Sequence, residues 1–207
     1  MAAYDAALDR LWDMGLLYPC TCSRRDIQDA MSAPQEGVPQ HGPDGLIYPG
    51  TCRRKTPAHH RAHHVTLRLD MAKACKMLGP LRFDETGAGP GGEHGRIEIA
   101  ANDMITHVGD IVVARRDMGT SYHLSVVVDD AAQKVSQVVR GQDLFEATRI
   151  HVVLQNLLGL PVPAYHHHRL IRDEGGRRLA KRDDARAIAR YREEGATPAD
   201  IRRMVGL

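Results

Sequence analysis

The stretch Val135-Ser136-Gln137-Val138-Val139, closed by Arg140-Gly141-Gln142-Asp143, and the segment 148–158 carry the pattern that decides the fold. The first is a short valine-rich run that ends at a turn, which predicts a strand. The second places apolar residues on one helical face and is closed by Gly159, which predicts an amphipathic helix. Because strands that alternate with helices build an α/β sheet, the sequence predicts an α/β fold.

Strand and helix patterns continue on both sides of this unit. Residues 124–128 form a nearly continuous β-rich apolar run, and this lack of alternation predicts a parallel strand covered on both faces. Further strands are predicted at residues 64–69, 109–114 and 168–171, with a tight hairpin at 173–176. Further helices are predicted at residues 4–14 and 24–31, and from the N-cap Thr197 onward.

Composition excludes several classes of protein. The 207 residues are 43% apolar and 26% charged, which is enough for one large domain with a real core. The net charge of +2 argues against a bare, highly basic nucleic-acid-binding stripe. The apolar runs are short, and the N-terminal pattern carries Asp5 and Asp9. We therefore expect a cytoplasmic protein with neither a membrane span nor a secretory signal.

Three of the four cysteines are predicted to bind a metal. Cys20 and Cys22 are separated by one residue, which is too tight for an easy disulfide, and Cys52 lies beyond a loop rich in proline and glycine. A zinc ion would hold the ends of that loop together. The alternative is that these cysteines are reduced core residues. Cys75 lies in an apolar pattern and is expected to be a buried small side chain.

The spacing leaves the fourth zinc ligand open. Zn²⁺ prefers four ligands in a tetrahedron. The candidates are Tyr48, His41 and one histidine of a cluster made of His59, His60, His63 and His64. The cluster itself is better explained as a solvated or RNA-facing surface than as a second metal site.

A basic loop precedes the C-terminal helices. Residues 177–184 carry four cations within six residues on a glycine-flanked turn. The simplest interpretation is a solvated turn. The alternative is that mobile cations, above all Lys181, close over a polyphosphate and neutralise the charge that moves to its leaving group.

Taken together, these segments resemble the glutamyl-tRNA synthetase group of class I aminoacyl-tRNA synthetases. More narrowly, they resemble its short glutamyl-Q branch, which attaches glutamate to queuosine in the anticodon of tRNA(Asp). The resemblance covers nearly the whole chain. The blocks that carry it are Leu17-Tyr18-Pro19-Cys20-Thr21-Cys22, Tyr48-Pro49-Gly50-Thr51-Cys52-Arg53, Gly109-Asp110, residues 121–131, Val139-Arg140-Gly141-Gln142-Asp143-Leu144, and Arg178-Leu179-Ala180-Lys181-Arg182.

The resemblance implies a zinc site and a glutamate pocket. The family's zinc ligands correspond here to Cys20, Cys22, Tyr48 and Cys52, which favours Tyr48 as the fourth ligand. The family's glutamate-binding tyrosine and arginine correspond to Tyr122 and Arg140. An arginine offers two parallel donors to a carboxylate, and a phenol can orient the other end of an amino acid. L-glutamate, ATP with Mg²⁺, and tRNA(Asp) are the implied substrates.

The basic loop corresponds to the family's KMSKS signature. The matching residues are Arg178, Leu179, Ala180, Lys181 and Arg182. Ala180 replaces the usual serine, whereas Lys181 keeps the cation at the position that contacts ATP. Lys181 is therefore expected to stabilise the departing pyrophosphate during glutamate activation.

The resemblance also implies how the chain is organised. Residues 1–108 correspond to the end of the first Rossmann half and a zinc-bearing connective insert. Residues 109–207 correspond to the second half of the Rossmann-like catalytic domain, with the KMSKS-like loop and the C-terminal helices. A counterpart of the family's other signature, HIGH, is missing. We therefore expect an N-terminally incomplete enzyme that is inactive alone and would be a monomer when complete. The alternatives are a zinc-stabilised tRNA- or nucleotide-binding module without activity, and one half of a split enzyme whose N-terminal half is supplied by another chain.

Overall fold

A computed structural model of the protein describes residues 1–31, 40–54, 61, 63–172, 175–176 and 187–206. In chain order its elements are α1 (Ala2–Asp13), β1 (Leu17–Cys20), α2 (Arg24–Met31), β2 (His41–Gly42), β3 (Gly45–Leu46), β4 (Thr66–Leu69), α3 (Met71–Met77), β5 (Leu81–Glu85), β6 (Gly95–Ile99), α4 (Ala101–Asp103), a π-helical turn (Met104–Val108), β7 (Val112–Ala114), α5 (Tyr122–Ala132), β8 (Gln137–Gly141), a 3-10 turn (Gln142–Leu144), α6 (Phe145–Leu157), β9 (Ala164–His168), α7 (Ile188–Glu193) and α8 (Pro198–Met204). The α/β class predicted from the sequence is confirmed.

The strands form two main sheets and a small hairpin. Strands β1, β4 and β7 form an antiparallel sheet in that order, and β2 pairs with β3. The second sheet has the order β6-β5-β9-β8, in which β9 runs parallel to both β5 and β8. The unit β8-α6-β9 is therefore a strand-helix-strand crossover between parallel neighbours, which is the connection that parallel pairing requires.

One apolar core joins the two sheets. It contains Leu8 of α1, Leu69 of β4, Phe83 of β5 and Tyr165 of β9, all buried. Helix α6 lies at its centre and buries ten side chains. The predicted division between residues 108 and 109 stays a prediction, and β4 pairs with β7 across it.

The run at residues 124–128 is a helix, so the parallel strand predicted there is wrong. The run lies in α5, whose N-terminus is capped by the Ser121 hydroxyl, which accepts a hydrogen bond from the Leu124 amide at 3.3 Å. Leu124 and Val127 are buried three residues apart, as a helix requires, while Val126 is half-buried. Capping and packing outweigh the β propensity of the valines.

The strand predicted at 168–171 lies earlier, at Ala164–His168. Its alternation is concealed in the sequence because the inward residues are Tyr165 and His167, and a histidine reads as polar. Residues 173 and 174 of the predicted hairpin lie outside the described residues. The helices at Ala2–Asp13 and Arg24–Met31, and the capping box of Thr197 with Asp200, are confirmed.

Within the described residues, every helix is too short or too polar to cross a bilayer.

Candidate functional site

Three cysteines and a tyrosine converge beside the antiparallel sheet. Cys20 ends β1 and Cys22 follows it, while Tyr48 and Cys52 come from the segment after β3. The Tyr48 hydroxyl lies 3.5 Å from the Cys20 sulfur and 3.3 Å from the Cys22 sulfur, and the Cys22 and Cys52 sulfurs are 3.5 Å apart. The four cysteines all lie within the described residues and are thiols rather than disulfides, and Cys75 is buried as expected.

These spacings fit a tetrahedral ion. Ligands at about 2.3 Å from zinc would have sulfurs about 3.8 Å apart. The sulfurs of Cys20, Cys22 and Cys52 all lie within 4.8 Å of one another. The structure therefore brings together the four residues that the resemblance implies. Of the alternative fourth ligands, His59 and His60 lie outside the described residues, while His63 and His64 are exposed.

Tyr48 is held in place by its neighbours. The Arg68 guanidinium lies 3.8 Å from the centre of its ring, and the Cys52 amide donates a hydrogen bond to its hydroxyl at 2.9 Å. Burial, followed by hydrogen bonds with the three thiols, raises the pKa of the Tyr48 phenol. These contacts hold the hydroxyl beside the three cysteine sulfurs.

Asp110 ties this cluster to the core. Its buried carboxylate accepts hydrogen bonds from the Tyr18 hydroxyl, from Arg53 Nε at 2.8 Å and from the Met71 amide at 3.0 Å. Its carbonyl accepts from Arg68 at 2.9 Å. The sequence contained Asp110 only as part of a family block, and its structural role could not be read from that block.

A cleft of about 750 Å³ lies beside the cysteine cluster. Its lining includes Cys22, Asp44, and the three arginines Arg24, Arg68 and Arg115. Asp44 lies in the turn of the β2-β3 hairpin. It lines the cleft and is also within hydrogen-bond distance of His123 in α5.

A second group of polar side chains lies at the carboxyl ends of the parallel strands. In the register of the sheet, Arg140 of β8 is opposite His167 of β9, and Glu85 of β5 is opposite Tyr165. Parallel strands end at the same edge, which is where ligands bind in α/β folds. Arg140 therefore lies at the edge where a ligand would bind.

Arg140 is held by three buried partners. Its Nε donates to Nε2 of His167 at 3.1 Å, one terminal nitrogen donates to Nδ1 of His151 at 3.2 Å, and the other donates to the Thr148 hydroxyl. Its guanidinium lies 5.1 Å from the ring centre of Tyr165. Burial lowers the pKa of Arg140, although an arginine remains charged throughout the physiological range.

Tyr122 meets Arg140 from the solvent side. It is the first residue of α5 and is 54% exposed. Its phenol lies close enough to Arg140 to act towards a higher pKa of the guanidinium, and its ring centre lies 5.8 Å from that of His151. The structure thus brings together the two residues that the resemblance assigns to glutamate. Lys181 and the other residues of the KMSKS-like motif, Arg178, Leu179, Ala180 and Arg182, lie outside the described residues.

Glu85 and His167 form a buried pair behind Arg140. The Glu85 carboxylate accepts hydrogen bonds from the His167 ring and amide and from the Gly87 amide. Burial opposes ionisation of Glu85, but these donors outweigh it and lower the pKa of the carboxyl. Burial lowers the pKa of His167, with the Arg140 charge acting in the same direction. His167 is therefore neutral, with Nδ1–H directed at Glu85 and Nε2 free to accept from Arg140.

Sequence reasoning missed the polar residues around Arg140. They are Glu85, His123, Thr148, His151 and His167. Thr148 and His151 stand three residues apart on the mainly apolar face of α6, and this break in the pattern was a signal that could have identified them. Their contacts with β8 and β9 depend on strand register, which the sequence does not display.

Comparison with known proteins bears on this geometry. A model of the family described as tRNA synthetases class I (E and Q), catalytic domain, matches residues 2–207. The chain belongs to this synthetase family. The matched residues include both the cysteine cluster and the polar side chains around Arg140, so one catalytic-domain model covers both sites.

Relatives within the synthetase family are close in sequence. A glutamyl-Q tRNA(Asp) synthetase of Rhodobacter capsulatus is 63% identical over 99% of this chain and 72% of its own length. One of Nocardia farcinica is 42% identical over 96% of this chain and 57% of its own length. The chain thus spans between about half and three quarters of the length of these two relatives.

The synthetase fold is also found among solved structures. A glutamate tRNA ligase from Elizabethkingia meningosepticum, in complex with its amino acid, superimposes with a TM-score of 0.62 at 20% identity. It covers 99% of this chain, which in turn covers 43% of that structure. At this identity the likeness concerns the fold alone.

Proposed function

We propose that this chain forms part of a cytoplasmic ligase that activates L-glutamate with ATP and Mg²⁺ and transfers it to queuosine in tRNA(Asp). The observation that carries the proposal is the pairing of Arg140 and Tyr122 at the carboxyl edge of the parallel strands. A fixed guanidinium next to a phenol suits an amino acid with a carboxylate side chain. The family and the names of these relatives agree with this substrate.

Arg140 would bind a carboxylate of the substrate. A guanidinium has five N–H groups, and three of those of Arg140 are directed at His167, His151 and Thr148. The contact with Tyr122 lies on the exposed side, so a carboxylate could compete there without disturbing the three buried partners. The buried setting strengthens that interaction because less water screens it.

Activation would begin with attack of a glutamate carboxylate oxygen on the α-phosphorus of ATP. A bond forms between the carboxylate oxygen and the α-phosphorus. The bond from the α-phosphorus to the oxygen that bridges it to the β-phosphate breaks, and pyrophosphate leaves with that electron pair. Lys181 would neutralise the charge that builds on pyrophosphate. In the transfer step a queuosine hydroxyl would attack the activated carbonyl. The bond from that carbonyl to the phosphate oxygen breaks, AMP leaves, and the hydroxyl proton passes to the departing phosphate, giving a glutamyl ester.

Cys20, Cys22, Tyr48 and Cys52 would hold a Zn²⁺ ion with a structural role. The four donor atoms supply a closed ligand set of the type seen in structural sites. The bound ion would lock residues 20–22 to residues 48–52. Asp110 and Arg68 would in turn position the ligands against the β1-β4-β7 sheet.

The proposal is tested by glutamate binding to the whole chain. Isothermal titration calorimetry should detect L-glutamate, and Arg140→Ala should weaken binding at least about 100-fold, because a carboxylate loses its charged partner. Arg140→Lys should also bind poorly, since the bidentate geometry is lost. Arg96→Ala, at an exposed arginine of β6, is the control. Binding by R140A that equals that of the native chain would contradict the proposal.

A second candidate is favoured by the edge of the second sheet. β8 is its outer strand in the described part of the chain, and Val139 on it is 63% exposed. An outer strand with an exposed valine can pair with another strand. The chain would then act as one half of a split synthetase, and pyrophosphate exchange with glutamate and ATP would require the partner chain. Glutamate-dependent exchange by the purified chain alone would reject this second candidate.

A further inference from the structure

A line of hydrogen bonds leads away from Arg140 through a terminal guanidinium nitrogen, whereas Nε contacts His167. Nδ1 of His151 accepts from Arg140 at 3.2 Å, Nε2 of His151 lies 3.1 Å from Nδ1 of His123, and Nε2 of His123 lies 3.2 Å from Oδ1 of Asp44. His151 and His123 are 2% and 6% exposed. The line thus crosses the interior from β8 through α6 and α5 to the β2-β3 hairpin.

The direction of every hydrogen bond in this line follows from its two ends. A guanidinium can only donate, so Nδ1 of His151 must be unprotonated. A neutral His151 then carries its proton on Nε2 and donates to Nδ1 of His123. His123 in turn carries its proton on Nε2 and donates to the Asp44 carboxylate, which accepts. Both imidazoles therefore have one defined tautomer, and each hydrogen bond polarises the next.

The surroundings of His151 agree with a neutral ring. The charged and titratable groups that face it are Arg140 from β8 and Tyr122 and His123 from α5. Burial first, and then the Arg140 charge, lowers the pKa of His151 to about 2.

We propose that His151, His123 and Asp44 are positioning residues for Arg140, forming a positioning relay that orients its guanidinium towards glutamate. The inference rests on the proposed function of Arg140. It adds a specific dependence: glutamate affinity depends on Asp44, a residue of the hairpin between the cysteines rather than of the parallel sheet. Without the relay, Arg140 loses the acceptor that holds one terminal nitrogen, and its guanidinium can turn away from the substrate.

Two substitutions at His151 separate positioning from packing. His151→Asn keeps an acceptor bonded to Cγ, where Nδ1 stands, while His151→Leu fills the space with apolar atoms and offers no acceptor. A purely structural role predicts that Leu is tolerated at least as well as Asn, because the site is buried. The relay predicts the opposite order in glutamate affinity: about tenfold weaker binding for H151L, as for one lost hydrogen bond to a charged group, and a smaller loss for H151N.

The same logic applies at the far end of the relay. Asp44→Asn keeps an acceptor oxygen and should bind glutamate within about threefold of the native chain, whereas Asp44→Ala should bind several-fold more weakly. Asp84→Ala removes an exposed carboxylate on β5 and serves as the matched control. Affinities of H151L or D44A equal to that of the native chain would overturn the proposal.

Nitrogen-15 NMR of the labelled histidine rings provides a readout that does not depend on glutamate. His151 and His123 should both appear as neutral rings protonated at Nε2, and D44A should change the signals of His123 and then His151. A ring of His151 protonated at Nδ1, or signals insensitive to D44A, would overturn the relay. If the native chain binds no glutamate while these signatures are present, the proposed function fails and the relay stands as a structural feature.

Discussion

At the scale of single residues, the buried polar groups around Arg140 define the candidate pocket more than any motif does. Glu85 is kept ionised by three N–H donors, and His167 and His151 are kept neutral by burial. Because the two histidines are neutral, each offers an unprotonated ring nitrogen to the Arg140 guanidinium. The N–H groups of Arg140 that point into the protein therefore have acceptors. The arrangement costs stability when the surrounding histidines are forced to take up protons.

Acid should therefore destabilise the protein through His151. The unfolded state takes up a proton near pH 6.5, whereas the folded state does so only near the pKa of about 2. The free energy of unfolding is therefore highest above pH 6.5 and decreases as the pH falls. For this residue alone the decrease between pH 7 and pH 5 is about 2 kcal/mol. Urea unfolding at both pH values should show a loss that is smaller by that amount in H151L. The assignment would be contradicted if H151L lost as much stability between pH 7 and pH 5 as the native chain. It would also be contradicted if His94→Leu, at an exposed site, reduced that loss as much as H151L does.

At the scale of elements, neighbours decide between helix and strand. Residues 124–128 have the composition of a strand, but Ser121 caps a helix and Leu124 and Val127 face the core at helical spacing. Tyr4 of α1 also donates to Asp129 at 2.7 Å, which fixes α5 against α1. The outer strand of the second sheet in the described part of the chain is β8, where Val139 faces solvent.

A charge on the edge of β8 should reduce self-association. Val139→Lys places a cation on the outer strand, which disfavours pairing between edges. Because Val139 is exposed, the free energy of unfolding should change by no more than about 0.5 kcal/mol. Sedimentation velocity should show less oligomer for V139K than for the native chain. Met204→Lys, at an equally exposed position on α8, is the control, and an equal effect of both substitutions would argue against an edge contact.

At the scale of the whole molecule, two separate groups of polar contacts tie the cysteine cluster and its neighbouring hairpin to the rest of the fold. Asp110 links the cluster to β4 and α3, and Asp44 links the hairpin between the cysteines to α5. The segment around the cysteines therefore supports the rest of the fold rather than standing apart from it. Its proposed zinc ion should matter for stability as well as for local order.

Zinc analysis of the purified chain should find about one ion per molecule. Cys52→Ala should lose most of it and lower Tm by at least about 5 °C, because the energy of metal binding contributes to folding. Cys75→Ala should keep the zinc, since Cys75 lies in the apolar core. Equal zinc content in C52A and C75A would rule out the cysteine cluster as the metal site.

The sequence by itself determined the α/β class, the strand-helix unit at 135–158, the capped helices and the grouping of Cys20, Cys22 and Cys52. These follow from local periodicity, capping chemistry and short spacings, all of which act between near neighbours in the chain. Tertiary structure alone decided that 124–128 is helical, that His167 faces inward and that Asp44 reaches His123. Those outcomes depend on strand register and on burial between distant segments, where a histidine or a valine takes its role from the groups packed against it.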